Sequence, residues 1–206
     1  MTFELETEMA APVLTWCREH GYAARCEVAT NVGIVDIAAV NGAAHRLPLT
    51  RRQANTLFHF PTSVDLNIDN DDRQFARLRA KDIHHLTRLG LLRREPTGHI
   101  IRTYTPPEQD PTICIELKLS RVHDALKQAR SYQEWSRRTY VALPEKRVVA
   151  LGAVVLGLFT LWGVGLLAVN PSGCREVCAP DQRKAQSWHN PAMNLLLQAK
   201  LGANRS

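Results

Sequence analysis

The stretch Thr112-Ile-Cys-Ile-Glu-Leu-Lys-Leu119 is an apolar, strand-like run interrupted by one carboxylate and one ammonium two positions apart. Side chains at i and i+2 of a strand leave on the same face, so Glu116 and Lys118 share one. Charged groups in an apolar strand are costly to bury unless they line a cleft or pair with each other. The triplet alone also fits an exposed ion pair on an edge strand, so its meaning depends on the rest of the chain.

Upstream, Cys26-Glu-Val-Ala29 and Gly33-Ile-Val-Asp-Ile-Ala-Ala-Val40 read as two strands closed by the turn pair Asn41-Gly42, with Asp36 inside the second. Before them, Met9, Val13, Leu14, Trp16 and Cys17 fall close to helical spacing, which predicts a helix over Leu5–His20 that stops at Gly21. Downstream, Val122–Arg138 reads as a basic amphipathic helix and Thr139-Tyr-Val-Ala-Leu143 as a short strand, after which Pro144 opens another helix. Helices alternating with strands argue an α/β fold, a mixed sheet with helices on its faces.

Val148 to Cys174 holds no charged residue and is apolar enough over Val148–Val169 to suggest a membrane span. Gly152, Gly157, Gly163 and Gly165 break it, however. A helix of about three turns, the strand Gly165-Leu-Leu-Ala-Val169, a turn at Asn170-Pro-Ser-Gly173 and the strand Cys174–Cys178 account for it without lipid. Both readings stand on this stretch alone.

Between Val40 and Thr112 the composition turns polar and charged over a length too great for a loop, which predicts an inserted module. Thr50 to Phe58 can start a helix, Gln74–Leu92 can hold more, and Pro96-Thr-Gly98 turns into the strand-like Ile100–Tyr104. Helices followed by a hairpin outline a winged helix. Arg73, Arg77, Arg79, Lys81, Arg88, Arg93, Arg94 and Arg102 face only Asp82 and Glu95 there, eight minus two, which equals the +6 of the whole chain. Ile83, Leu86 and Gly90 would form an inner stripe, leaving Lys81, His85 and Arg88 outward for the major groove, with Arg93, Arg94 and Arg102 on phosphates. A solvated basic helix fits these residues equally well. His84-His85 diverge on a helix and do not make a zinc pair.

With 26 Lys and Arg against 20 Asp and Glu, and a pI near 9.3, the chain suits an anionic partner. Five cysteines without C-x-x-C spacing suggest neither a disulfide framework nor a zinc ribbon. The acidic start MTFELETEM lacks the basic, then apolar, opening of a secretory signal, so a reducing cytoplasm is the expectation.

The order of a helix with an acidic N-terminus, a strand with Asp, a strand with E-x-K and a further helix resembles the PD-(D/E)XK nuclease superfamily. Glu6-Thr-Glu8-Met-Ala-Ala-Pro-Val13 looks like its first-helix motif, whose Glu completes the metal site, and Glu8 is the residue chosen over Glu6. Gln128-Ala-Arg-Ser-Tyr132 matches the Q-x-x-x-Y element of some branches, with both side chains expected to face one way. The resemblance covers 5–40 and 112–143. It implies a restriction-endonuclease-like sheet with the insert as a winged-helix-like module: core at 1–44 and 112–180, insert at 45–111, tail at 181–206.

The resemblance further implies Mg²⁺ or Mn²⁺ on Asp36, Glu116 and Glu8, with Lys118 positioning or deprotonating the attacking water. Gln128 and Tyr132 would support the site, while Arg121 and Arg130 would meet a nucleic-acid backbone. The partner would be DNA, with no organic cofactor, no membrane contact and a homodimer where both strands are cut. One departure is the separation of about seventy residues between the two strands, so the insert must leave and re-enter at one end of the sheet. The competing readings are a nuclease fold that only binds DNA, and a membrane-anchored protein.

Overall fold

The computed structural model describes residues 3–41, 49–62, 80–187 and 189–202. The chain divides into two compact units, Met1–Ala44 with Gln109–Asn190, and His45–Glu108 with Pro191–Ser206. In chain order, the first unit opens with a 3-10 turn (Glu6–Met9), α1 (Ala10–Glu19), β1 (Tyr22–Ala29) and β2 (Ile34–Asn41). The second contributes α2 (Arg51–Phe58), α3 (Ala80–Arg88), β3 (Leu92–Arg94) and β4 (Ile100–Arg102). The first resumes with β5 (Thr112–Leu117), α4 (Val122–Ser131), a 3-10 turn (Tyr132–Glu134), β6 (Thr139–Pro144), α5 (Glu145–Val149), α6 (Ala153–Trp162), β7 (Gly165–Asn170), β8 (Gly173–Cys178) and α7 (Gln182–Ala185). α8 (Pro191–Gly202) returns to the second.

The first unit is α/β. Its six-stranded sheet has the order β1-β2-β5-β6-β7-β8. β2 is antiparallel to both of its neighbours, β1 and β5; β5, β6 and β7 are parallel, and β8 closes antiparallel on β7. Parallel neighbours require crossovers, which α4 supplies between β5 and β6, and α5 with α6 between β6 and β7. Met9, Val13, Trp16 and Cys17 of the first turn and α1 pack on one face, over Ile37, Ile115 and Leu167 among others. Val122, Leu126 and Phe159 pack on the other, over Val141, Leu143 and Leu166. The central strands are therefore buried on both faces, which is why they read as continuous apolar runs.

In the second unit α2 and α3 share a core with the β3–β4 hairpin, including Leu57, Phe60, Leu86, Leu92 and Tyr104. Thr50 caps α2, its hydroxyl accepting from Gln53 N–H while Gln53 reaches back to the Thr50 N–H. The part of the expected Gln74–Leu92 helix before Ala80 lies outside the described residues, as do Gly42, Arg73, Arg77 and Arg79. Gly90 ends α3 at φ +71° and is exposed, so it is not part of the inner stripe that Leu86 and half-buried Ile83 form.

Two expected boundaries move. Residues 181–206 are not one tail: up to Asn190 they belong to the first unit, and α8 places Leu195 in the core of the second. α8 is buried nearly all round, including Asn194 and Gln198, whose amides pair with each other, Gln198 Nε2 donating to Asn194 Oδ1 at 2.7 Å. The helix expected over Val122–Arg138 stops at Ser131 and tightens into the 3-10 turn. The apolar run beyond Val148 is α6 and β7. Ten residues of α6 reach only about 15 Å, half a hydrocarbon core. Among the described residues no helix is long and apolar enough to cross a membrane.

Two glycines in that run have opposite roles. Gly165 begins β7 where an added Cβ would press into the Tyr140 ring and lie 3.0 Å from Pro180 Cδ, whereas Gly157 inside α6 has open space around it. Gly165→Ala should therefore destabilise by about 1–3 kcal/mol, and Gly157→Ala should stabilise by about 0.5–1 kcal/mol. Denaturant unfolding of both variants checks the pair of signs.

Candidate active site

The β2–β5 ladder runs from Val40↔Thr112 to Ile37↔Ile115 and stops there. The next position would bring Asp36 opposite Glu116. Instead, Leu117 N–H donates to Asp36 Oδ2 at 2.8 Å, so a side chain replaces the backbone acceptor and the strands part. On the other side of β2, Glu27 lies across from Asp36, between the pairs Cys26↔Ile37 and Val28↔Val35, at φ +53°. A non-glycine residue in that region stores about 1–3 kcal/mol of strain and tends to mark a functional position. Asp36 thus sits at a break in both of its ladders.

Glu116 is 1% exposed and held at both oxygens. Lys118 Nζ donates to Oε1 at 3.2 Å, and Tyr132 Oη lies 2.8 Å from Oε2 and 3.0 Å from the Ile34 carbonyl oxygen. Lys118 Nζ also reaches Glu6 Oε2 at 3.4 Å, while Glu6 Oε1 accepts from Leu119 N–H at 3.3 Å. Lys118 N–H still pairs with the Ala142 carbonyl on β6, which fixes its backbone on the sheet.

Burial pushes the Asp36 carboxyl above its ordinary range against the Leu117 N–H and Lys118, which pull it down. Burial, then the nearby Asp36, raises Glu116. For Lys118 burial works downward, but the hydrogen bond and charge of Glu116, helped by Glu6, outweigh it and keep the ammonium above its usual value. Burial and Glu116 hold the Tyr132 phenol in its protonated form. Three carboxyl groups thus surround one lysine, and two of them are reluctant to ionise.

Mg²⁺ and Mn²⁺ take oxygen donors, and Mg²⁺ is commonly held by one or two carboxylates, with water and substrate phosphate completing the shell. Asp36 and Glu116 fit that requirement in kind and number. Among the described residues no group of three or more His, Cys, Asp or Glu is placed to hold a metal ion. Lys118 standing between Glu116 and Glu6 accounts for this, because the third carboxylate is separated from the other two by an ammonium.

Asp36, Glu116, Lys118 and Tyr132 are brought together. Glu8 is not, and this corrects the choice made from sequence: its Oε2 accepts from the backbone N–H of Glu4 at 2.7 Å and of Leu5 at 3.3 Å, and Glu6 takes the place by Lys118. Glu8 stands at the third position of the 3-10 turn and takes the N-cap N–H of Leu5, but a leucine N-cap lacks the side-chain oxygen that would have marked the turn in the sequence. Gln128 is exposed on α4, whereas Tyr132 is turned into the core by the 3-10 turn, so the two do not face one way. Glu27 and the Ile34 carbonyl carried no sequence signal.

Of the residues expected to meet nucleic acid, Lys81, Arg88 and Arg94 are exposed. His85 is half-buried, with Nε2 enclosed and without a hydrogen-bond partner among the described residues. Asp82 beside them is buried and takes Arg52 at two points, 2.7 and 3.2 Å. Arg93 is paired with Glu95 at 2.7 Å, and Arg102 stacks 4.5 Å over Phe58. Arg121 lies 3.6 Å from Asp124, and Arg130 stacks 5.1 Å over Trp162.

No family model matches the chain, and no curated protein does. Among solved structures, a protein of unknown function from Silicibacter pomeroyi, SPO1766, is similar at 14% identity and a TM-score of 0.42, covering 91% of this chain and 83% of that one. At that level the likeness adds nothing to the reading of the site.

Tyr132→Phe keeps the ring and removes the hydroxyl, leaving Glu116 Oε2 without that partner; the expected loss is about 1–3 kcal/mol of stability. Denaturant unfolding that gives the wild-type value would show that Oη does not hold the carboxyl group.

Proposed function

We propose that this chain is a metal-dependent nuclease with a PD-(D/E)XK, restriction-endonuclease-like core, hydrolysing phosphodiester bonds in DNA as an endonuclease of restriction, repair or defence type. The observation that carries the reading is the convergence of Asp36, Glu116 and Lys118 where β2 and β5 part. The succession of helix, Asp-bearing strand, E-x-K strand, helix and parallel strand supports it.

Asp36 and Glu116 would hold Mg²⁺ or Mn²⁺, which when bound polarises the phosphate and acidifies a water. Lys118, kept protonated by its carboxylate neighbours, serves as a cation that orients the attacked phosphate or the water. Tyr132 fixes the Glu116 carboxyl, and Glu6 holds Lys118 from the solvent side, its own side chain being 42% exposed. The second unit, with Lys81, Arg88 and Arg94 exposed, would contribute contacts to DNA. All five cysteines are free thiols, which fits the cytoplasmic setting this reading assumes. Cutting both strands with one site per chain would use two copies.

Purified protein should nick or linearise supercoiled plasmid with Mg²⁺ or Mn²⁺ and not in EDTA, and Asp36→Ala and Lys118→Ala should each abolish cutting while sparing DNA binding. Cutting that survives both substitutions would place the activity elsewhere. Glu6→Gln should slow cleavage more than Glu8→Gln, since Glu6 alone of the two contacts Lys118.

The raised carboxyl groups also set a sign for metal binding. The metal-free fold binds these protons more tightly than the unfolded chain, so the pair's contribution to stability is present below the ordinary carboxylate values and lost as pH rises through the raised ones. A divalent cation competes with those protons. Mg²⁺ should therefore raise the melting temperature more at about pH 8 than at about pH 5, approaching about 2.7 kcal/mol at a hundredfold excess over its Kd. Equal shifts at both pH values would remove Asp36 and Glu116 as its ligands.

A second reading, a nuclease fold that binds DNA without cutting it, draws on the occupation of both Glu116 oxygens by Lys118 and Tyr132. It predicts salt-sensitive DNA binding with no metal-dependent cleavage.

A further inference from the structure

β5 and β6 run parallel, with Leu117 opposite Ala142. The chain leaves β5 through Lys118 to Arg121, and leaves β6 into α5, which carries Arg147. Both arginines therefore come off the sheet at the end where Glu116 and Lys118 lie. Arg121 lies three positions beyond Lys118, so their Cα atoms are no more than about 10 Å apart.

A cavity of about 410 Å³ opens there, walled by Arg121, His123, Asp124 and Arg147 on its polar side and by Leu151 and Val155 on its apolar side. Asp124 offsets part of the positive charge, but it stands 3.6 Å from Arg121 and both side chains are at least half exposed, so the pair is weak. Arg147 and His123 have no hydrogen bond or ion pair with another described residue. The cavity thus offers two guanidinium groups and an imidazole to a ligand.

We propose that this cavity binds a backbone phosphate of nucleic acid, one to a few nucleotides from the phosphate at Lys118; its place beside the scissile bond rests on the nuclease reading above, while phosphate binding itself does not. Guanidinium forks match phosphate oxygens at two points. Successive phosphates of a strand follow one another at about 3.4 Å along the duplex axis, so the span from Lys118 to the cavity covers only a few. The apolar wall leaves room for the attached sugar.

The test compares the wild type, Arg121→Ala/Arg147→Ala, the same pair changed to Lys, and Arg183→Ala, an exposed charge on α7 outside the cavity. Binding of a labelled 20-base-pair duplex is measured in EDTA over a range of salt, and cleavage with Mg²⁺ is measured separately. The alanine pair should weaken binding about tenfold or more and lower the salt slope by about one, at about 0.9 per lost phosphate contact. KM should rise with little change in kcat, the lysine pair should recover much of the binding, and Arg183→Ala should match the wild type. Circular dichroism confirms that the variants are folded.

Unchanged affinity and slope in a folded alanine pair overturn the proposal, whether or not the protein cuts. So does wild-type protein that binds no DNA, and so does arginine-dependent binding of inorganic phosphate, against chloride at matched ionic strength, with DNA affinity untouched. A wild type that never cuts, but loses affinity and slope in the alanine pair, overturns the nuclease reading and leaves the cavity assigned.

Discussion

The hydrogen bond from Leu117 N–H to the Asp36 carboxylate is the contact on which the rest of the site depends. In a continuous ladder that N–H would meet a backbone carbonyl, and β2 would shield Glu116 from anything outside the sheet. A side chain as acceptor satisfies the donor and releases the strand, so the sheet opens without leaving a buried N–H unpaired. Glu27, held at φ +53° opposite Asp36, marks the same break on the β1 side. The ladders from β5 to β6 and from β6 to β7 stay regular beside it.

The layers around this opening explain how polar groups are tolerated within an apolar sheet. Glu116 lies on the face that α4 covers, where Leu126 and Ala129 are fully buried. An unpaired carboxyl group there would be expensive. Tyr132 reaches it because α4 tightens into a 3-10 turn at its C-terminal end, and Lys118 reaches it because two residues along a strand return to the same face. One partner is supplied by helix geometry and the other by strand geometry. The glutamate is therefore held on both oxygens while remaining at the mouth of the gap.

Much of this could be read in the sequence, for reasons that also explain the errors. Asp36, Glu116 and Lys118 stand out because the strand period is short and strict, so a charged residue in an apolar strand has few places to point. The choice between Glu6 and Glu8 failed because the entry to α1 is a 3-10 turn, whose phase differs from that of an α-helix. Gln128 and Tyr132 separated for the same reason at the other end of α4. Neither turn has a compositional signature. α8 reads only weakly as a helix in the sequence, over Met193–Lys200, because its apolar residues follow no single stripe, being enclosed on nearly every side. The apolar run after Val148 was legible once Gly152, Gly163 and Gly165 were read as boundaries, Gly163 lying in the left-handed region between α6 and β7, whereas Gly157, also read as a break, lies within α6.

The charge balance of the site argues for a cation. Asp36, Glu116 and Glu6 bring three potential negative charges to one lysine, and the two more buried carboxyl groups are pushed above their ordinary range by burial first, with the charge of Glu6 adding to it at Asp36 and that of Asp36 at Glu116. A single carboxylate on Lys118 would make a balanced pair and a quieter, more stable strand, since a buried ion is costly without full compensation. An arrangement that keeps the surplus carries an electrostatic debt that protons meet at low pH. At neutral pH a divalent cation would meet it more fully, and would also draw a phosphate toward a region that carboxylates alone would repel. Lys118 cannot replace such a cation, because its single charge is already shared between Glu116 and Glu6. The surplus of acid over base at the gap between β2 and β5 thus supports the proposed metal dependence on grounds separate from the resemblance to a nuclease family.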